Sequence, residues 1–151
     1  MHTAREQVTG LLGRLAIGSR FENIELVQIV LAEIVEGLGF DSDTAHWIEV
    51  AVREAVANAI KHGNRLDVEK KVEIAVSVDQ GNLTIEVRDQ GQGFELVELG
   101  DPLDPTNLMK PSGRGILYMR RFMDQVDYRR GEPQGTVLTL RKRVPPGAAT
   151  I

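Results

Sequence analysis

Apolar residues change their spacing once along this chain of 151 residues, from a helical to an alternating pattern. Up to about residue 62 they recur every three or four positions, which predicts helices over residues 21–38 and 43–62. From Val72 onward alternate residues are apolar, which predicts strands with one buried face. The first helix is expected to bury Ile24, Val27, Val30, Leu31, Ile34 and Leu38. The second is expected to bury Ile48, Ala51, Val52, Ala55, Val56 and Ala59.

The remaining segments complete an order of strand, two helices, hairpin, loop, helix and hairpin. A short first strand is expected at residues 15–17, and Gln80-Gly81-Asn82 supplies the turn of the first hairpin. A third helix is expected to open at Gly115, before a final hairpin that joins residues 126–128 to 136–140. The predicted fold is an α+β two-layer sandwich, with three helices on one face of a mostly antiparallel or mixed sheet.

The least regular stretch spans residues 95–112 and contains three prolines: Pro102, Pro105 and Pro111. A long irregular loop inside a compact domain is usually functional and often forms a lid. Residues 144–151 are expected to form a tail. The length suits a single domain, residues 1–151, with a core of its own.

Charge and composition argue against several classes of function. A net charge of −4 disfavours direct binding of nucleic acid. Because the chain has no cysteine, disulfides, thiolate metal sites and a cysteine nucleophile are excluded. The sequence lacks an apolar run that could span a membrane and an apolar signal-peptide core near Met1. A cytoplasmic protein without a membrane partner is expected.

One motif interrupts the strand pattern where the first hairpin ends. Asp89-Gln90-Gly91-Gln92-Gly93-Phe94 places a carboxylate at the end of a strand and two glycines directly after it. Glycines let the backbone turn and let a bulky group lie against it. The carboxylate is left as a fixed acceptor, which suits an amine-bearing ring of a ligand. The alternative is a turn without a ligand, which two glycines after a strand more often form.

Polar residues line one side of the second predicted helix. Glu54 and Asn58 are four residues apart, so they share a face, and Lys61 and His62 follow one turn later. An amide oxygen can ligate Mg²⁺, an amine can contact phosphate, and a carboxylate can deprotonate a hydroxyl. This set suits a metal-bound polyphosphate; the alternative is an ordinary solvated helix face.

A glycine-rich segment precedes the third predicted helix. Ser112-Gly113-Arg114-Gly115 would expose backbone N–H groups beside the positive end of the helix dipole, which favours phosphate. Arg114 could add a bidentate contact. A flexible N-cap is the alternative interpretation of these residues.

Taken together, these motifs resemble the boxes of a known ATPase superfamily. Glu54-x-x-x-Asn58, Asp89-x-Gly91-x-Gly93-Phe94 and Gly113-x-Gly115 occur in the order of the asparagine box and two glycine boxes of the GHKL, or Bergerat-fold, ATPases. The resemblance covers about residues 15–143. Residues 54–63 and 115–124 further resemble the bacterial anti-sigma factor serine/threonine kinases.

The resemblance implies a role for each matching residue. Asp89 would accept from the adenine amino group, Asn58 would hold Mg²⁺ and Glu54 would be the general base. The remaining residues are expected to contact the nucleotide, and residues 95–112 would form the ATP lid. The residues that the resemblance implies for these contacts are Lys61, His62, Gly91, Gly93, Gly113, Arg114, Gly115 and, beside adenine, Thr136.

The resemblance also implies partners. The expected protein is an anti-sigma factor that binds Mg-ATP, sequesters a sigma factor, phosphorylates a STAS-domain antagonist and forms a homodimer. One position departs from the pattern, because Pro111 stands where some members carry an arginine. Lys110 or Arg114 could replace that charge. The alternative is a non-catalytic nucleotide-binding module that only exchanges partners.

Overall fold

The computed structural model describes residues 9–92 and 111–146, without the side chains of residues 111–116. A 3-10 turn, Phe21–Asn23, precedes the first helix, and a π-helical turn, Ala59–Gly63, extends the second. The helices are α1 Ile24–Gly37, α2 Ser42–Asn58 and α3 Pro111–Phe122. The strands are β1 Gly10–Gly18, β2 Lys71–Asp79, β3 Asn82–Arg88, β4 Gln125–Arg130 and β5 Thr136–Arg143.

In the described part of the chain the strands form one five-stranded sheet in the order β1-β2-β3-β5-β4. All four pairings are antiparallel. At the centre, Ile85 lies opposite Val76 on one side and Leu140 on the other. The predicted α+β sandwich with three helices is therefore confirmed, and β1 and β4 are the edges of the sheet.

The core lies between the sheet and the helices. The predicted stripe of α2 is confirmed, since every one of its apolar members is buried. Ile48 of α2, Leu31 of α1 and Ile85 of β3 are among the fully buried side chains of the cluster. Burying a side chain of this size contributes about 1.5–3 kcal/mol relative to leaving it exposed.

Two different contacts fix the N-terminal part of α2. At its start, the Asp41 carboxylate accepts from the Thr44 backbone N–H at 2.8 Å and from its hydroxyl at 2.9 Å. These bonds to Thr44 lower the pKa of Asp41. One turn along the helix, Trp47 stacks on Phe122 of α3 with ring centroids 4.0 Å apart. The helix therefore begins at Ser42, one residue before the predicted start at residue 43, and the stack ties α3 to α2.

The N-terminal elements differ from the sequence-based expectation in two ways. The first strand runs over Gly10–Gly18 rather than residues 15–17, because its backbone pairs with β2 along that whole length. A register shift between Leu11 and Gly13 hides the alternation in the sequence. On α1, Val30 is 41% exposed, whereas Val35 is buried in its place. The stripe is therefore rotated away from Val30.

The structure corrects the predicted start of α3 and, with it, the end of the predicted lid. The helix begins at Pro111 rather than Gly115, so Pro111 and Ser112 do not belong to a loop. Proline suits the first helical turn, because its φ is preset and its missing N–H has no partner to lose there. Gly113, Arg114 and Gly115 lie inside the first turns. Residues 95–110 and 147–151, including Lys110, lie outside the described residues, as does Gly93.

The second helix is predicted to end at residue 62, and its hydrogen bonding widens to a π-helical pattern over the last turn, Ala59–Gly63. The Asn64 N–H donates to the Ala59 carbonyl at 2.8 Å, a π-helical bond five residues apart. The left-handed residues that follow are Arg65 and Leu66, with φ of 52° and 61°. Because Arg65 and Leu66 adopt the left-handed conformation after the helix, Gly63 is not needed as a left-handed residue that ends it.

Candidate functional site

A small cleft, with a volume of about 10 Å³, lies where the C-terminal part of α2 faces β3, β4 and β5. Four of its eight lining residues are apolar and four are polar. The sequence-predicted residues Asn58, Asp89 and Thr136 meet there. The full lining is Ala55, Asn58, Ala59, Val87, Asp89, Tyr128, Thr136 and Leu138.

Asp89 is the most constrained polar residue of the cleft. It is 2% exposed, and its Oδ1 accepts from the backbone N–H of Gly91 at 3.0 Å and of Thr136 at 3.2 Å. Its own N–H donates to the Thr136 carbonyl at 3.1 Å. Among the described residues no hydrogen bond is made to Oδ2. The carboxylate is thus oriented by one oxygen, and the other remains an acceptor.

Three glycines let backbone approach Asp89 closely. A Cβ on Gly63 would overlap the Asp89 carboxylate, and one on Gly135 would overlap the Asp89 carbonyl. A Cβ on Gly91 would overlap the Gly63 carbonyl. Gly135 also has φ of 94°, a conformation that other residues rarely adopt. This glycine cradle, Gly63, Gly91 and Gly135, encloses the carboxylate with backbone rather than side chains.

Asn58 provides an incomplete polar contact in the cleft. The residue is 8% exposed, and its Nδ2 has no hydrogen-bond partner among the described residues. An unpaired buried amide is costly, so we expect a water molecule or a ligand to complete its hydrogen bonding. The two ends of an amide are assigned from their surroundings, so Oδ1 can take the same position. The donor set therefore fits a bound hard cation or a polar ligand group.

The other predicted residues of α2 lie beside the cleft rather than in its lining. Glu54 is half-buried one turn before Asn58. Lys61 is exposed and His62 half-buried on the π-helical turn. Burial, and next the Lys61 charge, lower the pKa of His62, so its imidazole is mostly neutral at pH 7.

Several residues of the site were not foreseen from the sequence. Tyr128 lines the cleft, and burial raises the pKa of its hydroxyl well above the usual value. Gly63 and Gly135 were not among the predicted site residues, although both lie against Asp89. Glycines that allow backbone contact between distant segments give no local pattern, so no sequence signal distinguished them from turn glycines.

No helix of the described residues has the length and apolar character needed to cross a membrane.

The chain matches known proteins in both sequence and fold. Residues 17–142 match the histidine kinase-like ATPase domain family. The anti-sigma F factor of Geobacillus kaustophilus is 33% identical over 132 residues, covering 86% of this chain and 90% of that protein. The anti-sigma F factor of Bacillus subtilis is 32% identical over 125 residues, covering 82% and 86%.

One solved structure shares the fold. The RsbU and RsbW domains of a Mycobacterium tuberculosis protein match with a TM-score of 0.63 and 22% identity. The match covers 92% of this chain but 34% of that one, so this chain spans about a third of its length.

Gly63→Ala should destabilise the protein by about 1–3 kcal/mol, because the added methyl overlaps the Asp89 carboxylate in a packed site. Gly13→Ala is the matched control, since nothing lies within 4 Å of its added Cβ. Urea unfolding of both variants measures the difference. Equal stability of the two would contradict the cradle.

The stability of the site should depend on pH through Asp89. Burial raises its pKa above the ordinary 3.8, against the opposing hydrogen bonds from Gly91 and Thr136. A raised folded-state pKa means that this group's contribution is most favourable at low pH. That contribution falls as pH rises from the unfolded-state pKa through the folded-state pKa.

Asp89→Asn keeps an acceptor for both N–H groups but does not ionise. The unfolding free energy of the wild type minus that of the variant should therefore decrease as pH rises above about 4. It should level off once the carboxyl is fully ionised. Urea titrations of both proteins at a series of pH values above about 4 measure this difference in unfolding free energy. A difference that stays constant with pH would show that burial does not raise the pKa of the Asp89 carboxyl.

Proposed function

This chain belongs to the histidine kinase-like ATPase family, and we propose that it is an anti-sigma factor that uses Mg-ATP as a serine/threonine kinase. The observation that most supports nucleotide binding is the buried Asp89 carboxylate, oriented by two backbone N–H groups at the cleft. The adenine amino group would donate to it. Guanine has a carbonyl in that position, so two acceptors would face each other and guanine would be rejected.

The polar residues of α2 supply the proposed phosphate end of the site. Asn58, with its unpaired buried amide, would hold Mg²⁺, which neutralises phosphate charge during transfer. Exposed Lys61 would add a positive charge and neutral His62 a hydrogen bond. Gly91, Gly93, Lys110, Gly113, Arg114 and Gly115 would complete the contacts to the nucleotide.

Glu54 is the residue that distinguishes a kinase from a nucleotide-binding module, because phosphate transfer needs a general base and nucleotide binding does not. In the proposed reaction the acceptor hydroxyl oxygen bonds to the γ-phosphorus of ATP. The bond from that phosphorus to the bridging oxygen of ADP breaks, and the hydroxyl proton passes to Glu54. The half-buried position of Glu54, one turn from Asn58, supports this role.

The proposed partners follow from the relatives. Both bacterial proteins described above are named anti-sigma F factors, which supports a sigma factor as the first partner. The phosphate acceptor would be a serine or threonine of a STAS-domain antagonist, and the location would be cytoplasmic. The alternative function, a module that binds nucleotide and exchanges these partners without transfer, uses the same cleft.

A homodimer is proposed on the exposed apolar surface beside edge strand β1. Leu11 of β1 is 56% exposed, and Leu26 and Ile29 of α1 are 52% and 58% exposed. The two elements adjoin, because Leu15 and Val30 line one small cavity between them. A second copy of the chain could cover this surface and pair with the free edge of β1.

Glu54→Gln should retain ATP binding and lose at least ~100-fold in phosphate transfer, the usual scale for removing a general base. The assay combines labelled ATP, Mg²⁺ and the STAS protein encoded beside this chain. Asp89→Asn is the complementary variant, and it should weaken ATP binding itself. If the wild-type protein binds ATP but transfers no phosphate to the STAS proteins encoded beside it, the kinase function is rejected in favour of the binding module.

Ile29→Asp should dissociate the proposed dimer, because it places a charge on an apolar contact surface. Leu66→Asp is the control, since Leu66 is similarly exposed at 50% but follows α2 instead. Sedimentation velocity should show a dimer for wild type and the control, and a monomer for Ile29→Asp. A wild-type monomer at every concentration tested, or a dimeric Ile29→Asp, would exclude this interface.

A further inference from the structure

Asn64 is a buried polar residue with no place in the function proposed so far. It follows the π-helical turn and is 1% exposed. Its φ of −85° is ordinary for any residue, so the backbone does not require asparagine there. The contacts of the side chain must therefore explain why this position is an asparagine.

The Asn64 amide joins three separate segments. Its Oδ1 accepts from the Gln90 backbone N–H at 2.7 Å. Its Nδ2 donates to the Ser19 hydroxyl at 2.9 Å and to the Lys71 carbonyl at 3.0 Å. Both donors of the amide are thus used, which fixes the direction in which Oδ1 points.

Gln90 is held from two further sides. Its Oε1 accepts from the Lys71 N–H at 2.7 Å, and its carbonyl accepts from Gln134 Nε2 at 2.8 Å. Gln90 lies between Asp89, which faces the cleft, and Gly91, whose N–H orients the Asp89 carboxylate. A shift of Gln90 therefore moves both the carboxylate and one of the donors that orient it.

We propose that Asn64 is a positioning residue that sets base selectivity, by fixing the Gln90 peptide so that Asp89 meets the amino group of an adenine nucleotide. The inference rests on the proposed nucleotide binding. Asn64 touches the loop rather than the base. Selectivity depends on it because a buried acceptor discriminates only while its position is fixed, and a loosened loop accommodates a carbonyl as well as an amine.

The test compares the dissociation constants of ATP and inosine triphosphate, which carries a carbonyl in place of the adenine amine. Asn64→Leu removes every hydrogen bond of the amide at similar volume, and the preference for ATP should fall at least ~10-fold. Ser19→Ala is the matched control, because it removes one bond of the same amide and leaves the bond to Gln90. Its preference should match wild type, although it too loses a buried hydrogen bond.

Asn64→Asp provides a second variant should Asn64→Leu not fold. It keeps an acceptor for the Gln90 N–H but loses both donors that direct it, so the ATP preference should again fall while Ser19→Ala keeps it. A folded Asn64 variant with wild-type preference, or a Ser19→Ala variant with the same loss, would overturn the inference and leave nucleotide binding standing. A wild-type protein that binds neither nucleotide would instead reject the proposed function.

Discussion

The burial of one carboxylate is the constraint on which this site depends. Asp89 lies at the end of a central strand, and desolvation penalises its charged form. Side chains around it would bring bulk, whereas glycines bring backbone N–H groups and leave room. The cradle therefore combines three segments, the end of α2, the loop after β3 and the start of β5, around a single charge.

The same constraint gives a reason for the widened end of α2. Gly63 must bring its backbone against both Asp89 and Gly91. A π-helical turn inserts an extra residue into the helix, and such turns occur often at functional sites. The turn delivers Gly63 to the carboxylate while Asn64, directly after it, reaches the neighbouring peptide. The widened helix end and the hydrogen bonds of Asn64 thus both act on the surroundings of Asp89.

Much of the fold was predictable because burial repeats with the period of each element. Alternating Val72 to Val87 and the stripe of α2 gave the sheet and its covering helix correctly. Val30 was misplaced because an amphipathic stripe does not fix its own rotation when flanking residues are also apolar. The start of α3 was missed because glycines suggested a loop, whereas proline began the helix.

The site was predictable only where chemistry shows in residue type. Asn58, Asp89 and Thr136 were selected by motif, and they do line one cleft. Asn64 and the cradle contacts were not foreseen, because they join segments that are remote in sequence.

The two edges of the sheet differ in how readily they can accept another strand. Among the described residues, β1 carries one charge, the exposed Arg14, together with the exposed apolar Leu11, whereas β4 presents exposed Asp127, Arg129 and Arg130, and charges of this kind block strand addition. Pairing through β1 would use the more receptive of the two edges of the described sheet, so growth would end at a closed pair rather than a filament.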